Sequence, residues 1–368
     1  MNPRRRHWLL HLTAWPWVAS AAKEVAPPAE VSRGRKLEFP RDHGAHLAAR
    51  TEWWYVTGWL GPLAQPTHGF QVTFFRSRTG LAQDTPGRFA ARQLLFAHAA
   101  VTALAERRHV HDQRLARWNG EPGAVQGSAS TEGGEVRMGR WSLRDDGDAW
   151  KAGLQARDFS LELSLQRTQP LLLQGDAGFS RKGPDERQAS HYYSEPQLAA
   201  GGRIAVLGRA ASAQGRAWLD HEWSDEILHP QAVGWDWIGM NLADGSALTA
   251  FVLRRRDGSA LWAGGSFRPA GGPAPSTLSF APGAVQFTAG RRWRSPGSGA
   301  TYPVQWQLQT PAGRFEVRAL LDAQELDSSA STGTVYWEGL SELLDTQGRR
   351  VGLGYLEMTG YTAPLRLR

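Results

Sequence analysis

The sequence predicts an all-β chain built from two tandem copies of one antiparallel unit. Three observations carry this. Apolar residues recur with a period of two, turn-forming residues are spread along the whole length, and the two halves share a faint internal repeat.

The period-two segments are explicit. Phe159, Leu161, Leu163 and Leu165 alternate with Ser160, Glu162 and Ser164, a pattern that buries one face of a strand. Val304, Trp306 and Leu308 alternate with Gln305, Gln307 and Gln309, and residues 315–320 continue in the same way. Helical periodicity is weak throughout, with at most a short turn near residues 194–199. Loops rich in Gly, Pro and Ser are expected at 119–134, 175–190, 269–277 and 295–300. Many short antiparallel strands joined in this way give a sandwich or a barrel.

The repeat sets the domain count. Glu52-Trp53-Trp54-Tyr55 matches Gly234-Trp235-Asp236-Trp237, and in each half a Gly, an apolar strand and an Arg-rich end follow. Near the ends of the halves, Tyr193-Ser194-Glu195 corresponds to Tyr336-Trp337-Glu338, and Asp220-His221-Glu222-Trp223 to Gly354-Tyr355-Leu356-Glu357. The expected division is an N-terminal domain over 37–226 and a C-terminal domain over 227–368, preceded by a leader at 1–22 and a linker at 23–36.

The leader reads as an export signal. Arg4, Arg5 and Arg6 form a basic start, an apolar stretch follows from Trp8, and Ala19-Ser20-Ala21 offers a small-x-small cleavage site. Arg5-Arg6-His7-Trp8-Leu9-Leu10 also resembles a twin-arginine signal. A periplasmic or otherwise exported location is therefore expected. The chain has no Cys, which excludes disulfides and thiolate chemistry.

The net charge of +7 invites a nucleic-acid reading, but three of those charges sit in the leader. The other basic clusters, at 254–256 and 291–294, are short and lie beside turn residues, as solvated strand ends do. No nucleic-acid partner is expected; contact with an anionic membrane surface is the alternative use of that charge.

Several common catalytic signatures are missing: there is no Gly-x-Ser-x-Gly elbow, no phosphate loop, no His-Glu-x-x-His and no Gly-x-Gly-x-x-Gly. Asp42, His43 and His46 followed by Glu52 are metal-ligand types, but their spacing is loose and a Gly interrupts them. Hydrogen bonding to a loop across a barrel mouth is the simpler role for Asp42 and His43, and no metal or cofactor is expected. The densest titratable cluster is Asp220-His221-Glu222-Trp223-Ser224-Asp225. In a strand, Asp220 and Glu222 face one way and His221 with Trp223 the other. Two readings stay open: acid–base groups in an apolar cavity, or a buried polar network at the domain junction. The aromatic residues Trp53, Trp54, Tyr55, Tyr192, Tyr193, Trp223, Trp235 and Trp237 supply core or cavity lining. His98, alone in an apolar strand, reads as a satisfied core histidine.

The blocks Phe39-Pro40-Arg41-Asp42-His43-Gly44-Ala45-His46, Glu52-Trp53-Trp54-Tyr55-Val56-Thr57-Gly58, Asp220-His221-Glu222-Trp223 and Gly354-Tyr355-Leu356-Glu357-Met358-Thr359-Gly360-Tyr361 together resemble the carotenoid 1,2-hydratase (hydroxyneurosporene synthase) family. That family falls in the AttH-like, lipocalin-like group, which also includes kievitone hydratase. The resemblance implies two lipocalin-like β-barrels around a long apolar ligand and, for hydratase members, cofactor-free addition of water to an isoprenoid double bond. Under it, His221 with Asp220 or Glu222 is the expected acid–base machinery, and Trp53, Trp54, Tyr55, Tyr193, Trp223, Trp235 and Trp237 line the ligand site. The group also contains exported members associated with ABC transporters, so a non-catalytic ligand carrier that meets transporter components is the alternative.

Overall fold

The computed structural model describes residues 31–271 and 277–365. The expected leader and most of the linker lie outside these residues, as does part of the 269–277 loop. Among the described residues there is no α-helix, only a single 3-10 turn at Arg41–His43.

The first sheet holds thirteen strands: β1 (Thr51–Leu60), β2 (His68–Arg78), β3 (Gln93–Ala103), β4 (Arg108–Trp118), β5 (Ser128–Ala129), β6 (Glu135–Met138), β7 (Trp141–Asp145), β8 (Ala149–Gln155), β9 (Phe159–Gln166), β10 (Leu172–Leu173), β11 (Phe179–Arg181), β12 (Ala189–Val206) and β13 (Arg209–Ser224). Their order is β4-β3-β2-β1-β13-β12-β9-β8-β7-β6-β5, with β10 and β11 also on β12, and β4 returns against β6 to nearly close a barrel. The second half has β14 (Gly234–Leu242), β15 (Ala247–Arg254), β16 (Ala260–Arg268), β17 (Leu278–Ser279), β18 (Gln286–Ala289), the small hairpin β19 (Arg292–Arg294) and β20 (Thr301–Pro303), then β21 (Gln305–Thr310), β22 (Gly313–Ala319), β23 (Glu325–Ser328), β24 (Thr334–Leu344) and β25 (Arg350–Met358). Its main sheet runs β17-β16-β15-β14-β25-β24-β22-β21-β18, the same antiparallel order as the first. The expected alternation at 159–165 is seen in β9, whose four apolar side chains are all buried.

Equivalent strands of the two sheets are thus β1 with β14, β2 with β15, β13 with β25 and β12 with β24. The register refines the repeat. Tyr55 pairs with Asp220, and its counterpart Trp237 pairs with Glu357, so Asp220 and Glu357 are structural equivalents. On the next strand Ser194 opposes Asp220 while Glu338 opposes Glu357. The late parts of the sequence correspondence are therefore displaced, by one residue at Glu338 and by three at Glu357. The strand ends differ between the halves, and motif matching there follows similar letters instead of hydrogen-bond partners.

The turn expected near 194–199 is absent; β12 passes straight through it. Pro196 has no N–H for the ladder, so the strand bulges between Glu195 and Leu198 and Gln197 takes a φ of 59°. The freed Gln197 backbone N–H donates to Asn241 Oδ1 at 2.8 Å. Its side-chain amide donates to the carbonyls of Leu242 and Ser246, at 2.9 and 2.8 Å. The bulge therefore clamps the first sheet to the second.

Each sheet fills its own interior. Trp54, Trp118, Trp141, Trp150 and Trp223 are fully buried in the first barrel, and Trp306 and Trp337 lie in the core of the second half. Most of these indoles donate to a fixed acceptor, as Trp54 does to the His43 carbonyl at 3.0 Å; Trp223 and Trp306 do not. A third core lies between the sheets, where Tyr55, Trp59 and Trp218 meet Trp237, Phe251, Leu340 and Tyr355.

Candidate functional site

The cavity lies in this middle layer. It measures about 460 Å³ and is bounded by β1, β2 and β13 on one side and by β14, β15, β24 and β25 on the other. Trp53, Tyr55, Phe75, Trp235, Trp237 and Phe251 give it apolar walls. Its location follows from strand alternation: β1 turns Trp54 and Val56 into the barrel and Trp53 and Tyr55 outwards, and β14 does the same with Asp236 and Ile238 against Trp235 and Trp237. The cavity expected inside a barrel therefore lies between the two sheets instead.

Besides Glu52, which Arg76 neutralises, four carboxyl groups line that apolar space. Asp220 accepts from Ser194 Oγ at 2.5 Å, Tyr192 Oη at 2.7 Å and Trp218 Nε1 at 2.7 Å. Burial nonetheless pushes its carboxyl up to about 7, against the pull of those three donors. Glu222 is held by the Ser190 hydroxyl and by Lys182 Nζ at 2.9 Å, with that ammonium also over the rings of Tyr192 and Phe251. Glu338 and Glu357 are cross-strand partners on β24 and β25. Burial and then the Glu357 charge hold Glu338 well above the usual carboxylate range, and burial pushes Glu357 up to about 7. Glu338 and Tyr55 are shut off from solvent beside one another, and the Tyr55 hydroxyl favours the charged Glu338 carboxylate against the larger effect of burial.

His221 belongs to a different place. It points into the first barrel, stacked on Trp54 at 4.8 Å between ring centroids, with Nδ1 3.1 Å from Tyr193 Oη and Nε2 3.0 Å from Glu52 Oε1. Glu52 also takes His46 Nδ1 at 2.7 Å and Arg76 Nε at 2.7 Å, and Arg76 reaches the carbonyls of His46 and Ala49. Asp42 closes the network on His46 Nε2 at 3.2 Å. Burial favours a neutral Glu52, but Arg76 and His46 hold its carboxyl well below the usual range. Burial would likewise lower His46, yet the Glu52 charge raises it. His46, Glu52 and His221 bring three ligand-type atoms within 4.8 Å of one another. The carboxylate they share is already neutralised by a buried guanidinium, so the donor set suits protons better than a cation.

The structure thus divides the expected site residues. Asp220, Glu222, Trp53, Tyr55, Trp235 and Trp237 line the cavity together. His221, Trp54, Tyr193 and Trp223 lie in the interior of the first barrel, on the opposite face of the same strands. Glu338 and Glu357 are cavity residues that the sequence reading missed, although both stood in the repeat blocks. The signal that finds them is the equivalence of Glu357 with Asp220. His98 is satisfied, as expected, but by the other sheet: Tyr336 Oη and Ser331 Oγ each lie 2.9 Å from its ring nitrogens.

Two antiparallel β units with packed interiors, joined around an acid-lined apolar cavity, define a lipocalin-like protein of tandem type. The chain belongs to the AttH-like family, whose profile matches residues 30–361. It is similar to a crystal structure described as an AttH from Nitrosomonas europaea, at 44% identity over 90% of this chain and 99% of that one, with a TM-score of 0.81. Kievitone hydratase from Nectria haematococca shares the fold at 13% identity, over 89% of this chain and 94% of that one, with a TM-score of 0.66. CghA in complex with Sch210972 shares it at 11% identity, over 84% and 88%, with a TM-score of 0.54. No curated protein sequence matches the chain.

Proposed function

We propose that the cavity between the sheets binds an apolar, isoprenoid-type ligand and adds water across one of its carbon–carbon double bonds. The observation that carries this reading is the placement of Glu338 and Glu357 opposite Asp220 in an aromatic-walled space, with all three carboxyl groups raised above the usual carboxylate range. The volume lies within the range of about 300–1,000 Å³ typical of small-molecule sites, which suits one end of a long chain or a ligand with a single prenyl arm.

The chemistry balances without a cofactor. The Glu338–Glu357 pair donates its proton to one alkene carbon, the π bond breaks, and a tertiary cation forms on the other carbon. The faces of Trp235, Trp237 and Tyr55 stabilise that cation by about 0.5–2 kcal/mol each. Water attacks the cation and forms the C–O bond, Asp220 takes an O–H proton from the resulting oxonium and releases it to solvent, and the acid pair is recharged from solvent. Kievitone hydratase, a hydratase by name, shares the fold, which is compatible with this chemistry but does not fix it.

The test is incubation with lycopene, neurosporene and a prenylated phenol in oxygen-18 water, followed by mass spectrometry. Label incorporation that is lost in Asp220→Asn and Glu357→Gln supports the reading; incorporation unchanged in both variants overturns it. A second reading rests on the three donors that already satisfy Asp220, an arrangement also suited to a wall residue of a non-catalytic carrier. Under it, solvent extraction recovers a bound lipid, and the variants change affinity with no label incorporated by any of them.

A further inference from the structure

We infer that one end of the first barrel is a docking surface for an anionic lipid bilayer, placed at the mouth of the cavity. The inference is independent of any reaction in the cavity.

Three of the most exposed large apolar side chains among the described residues sit at this end. Leu81 is 91% exposed, Val125 85% and Phe89 75%. Leu81 and Phe89 belong to the loop from β2 to β3, and Val125 to the segment after β4. The pairing of Gln93 with Trp118 sets those segments side by side. Solvated loops seldom carry such residues without a use, and single exposed leucines are ordinary; here three converge on one rim.

Charge supplies the identity of the partner. Arg50, Arg78, Arg88, Arg92 and Arg117 occupy the same end, and none has a carboxylate partner among the described residues. Arg50 and Arg78 are fixed beside one another by a backbone hydrogen bond of 2.8 Å, and the Arg88 guanidinium lies 5.0 Å over the Phe89 ring. Apolar tips that enter the acyl boundary, ringed by cations at headgroup height, are what an anionic bilayer selects.

Position links this surface to the ligand. Thr51 and Ser77, a cross-strand pair, line the cavity where β1 begins and β2 ends, which is where the 79–92 loop leaves the sheet. A lipid chain drawn from the bilayer would thus reach the cavity without crossing bulk water.

The absence of cysteine makes a direct test available. Leu81→Cys and Val125→Cys are labelled with an environment-sensitive dye in the full chain, with Leu207→Cys, at the far end of β12 and β13, as control. Phosphatidylglycerol vesicles are expected to blue-shift the probes at 81 and 125 and leave 207 unchanged; phosphatidylcholine vesicles are expected to bind at least about tenfold more weakly. In co-sedimentation, Leu81→Asp/Phe89→Asp is expected to lose the anionic-vesicle binding with its melting temperature retained. Equal shifts at 207, parental binding by the double variant, or no shift with either lipid overturns the inference, the last pointing to a protein partner for the patch.

Discussion

Glu338 and Glu357 stand directly opposite each other on adjacent strands, and neither forms an ion pair among the described residues. Burial raises both carboxyl groups; the Glu357 charge adds to it at Glu338, and the charges of Asp220, Glu222 and Asp236 add to it at Glu357, which is pushed up to about 7. Two like charges this close cannot both form cheaply, so the pair holds at least one proton near neutrality.

A stability signature follows from that proton. Above the ordinary value of 4.5, the unfolded chain releases it while the folded protein keeps it, so this pair destabilises the fold as pH rises towards about 7. Glu357→Gln is expected to be stabilising at pH 8 by on the order of 1–3 kcal/mol. Its advantage over the parent is expected to shrink to little at pH 4.5. Denaturant melts of both proteins across pH 4.5–8 measure the difference; a constant gap would show that the pair carries no shared proton.

The acid limb has a different origin. Burial lowers His98 to about 3 from 6.5, and it stays neutral between Tyr336 and Ser331. The unfolded chain takes up a proton below 6.5 that the folded protein refuses, so the contribution of His98 is lost as pH falls through that value. His98→Gln is expected to cost about 1–2 kcal/mol at pH 7.5 through its two inter-sheet hydrogen bonds. Near pH 5 the cost is expected to be smaller. Parallel melts at the two pH values check the sign.

The hairpin between β12 and β13 offers a clean control. Leu207 and Gly208 form its two-residue loop with φ of 49° and 81°, a primed turn that favours Asn at its first position. Leu207 is 46% exposed and distant from the cavity. Leu207→Asn is expected to gain about 1 kcal/mol by relieving the left-handed backbone, with ligand binding unchanged. Thermal melts and a titration with bound lipid read both.

The alternation in β9 was legible because one face of that strand meets a core and the other meets water. The fate of the Asp220–Trp223 segment was legible only in part. Period two separates Asp220 and Glu222 from His221 and Trp223, but both faces of β13 are buried, one in the barrel and one against the second sheet. Sequence therefore gave no means of telling which face held the cavity. Glu338 and Glu357 were hidden for a related reason: β24 and β25 are buried nearly throughout, so a carboxylate there has no polar stripe to mark it.

That two-faced strand yields the sharpest test of the site. On the barrel face, Arg76 neutralises Glu52, and His46 and His221 complete the network with no opening to the cavity for either imidazole. Arg76→Met leaves Glu52 buried and uncompensated, and is expected to cost about 3–5 kcal/mol. His221→Asn is expected to cost about 1–3 kcal/mol by breaking its bonds to Glu52 and Tyr193. A His221→Asn variant that still folds is expected to match the parent in ligand affinity and turnover. Arg76 and Glu52 also reach the cavity wall, so Arg76→Met is expected to change affinity as well as stability. On the cavity face, Asp220→Asn keeps the size of the side chain and its place among Ser194, Tyr192 and Trp218, so a melting temperature within a few degrees of the parent is expected with turnover lost. Melting temperature and label incorporation measured side by side on His221→Asn and Asp220→Asn separate the faces. Loss of turnover in a stably folded His221→Asn, with Asp220→Asn active, would move the chemistry into the barrel.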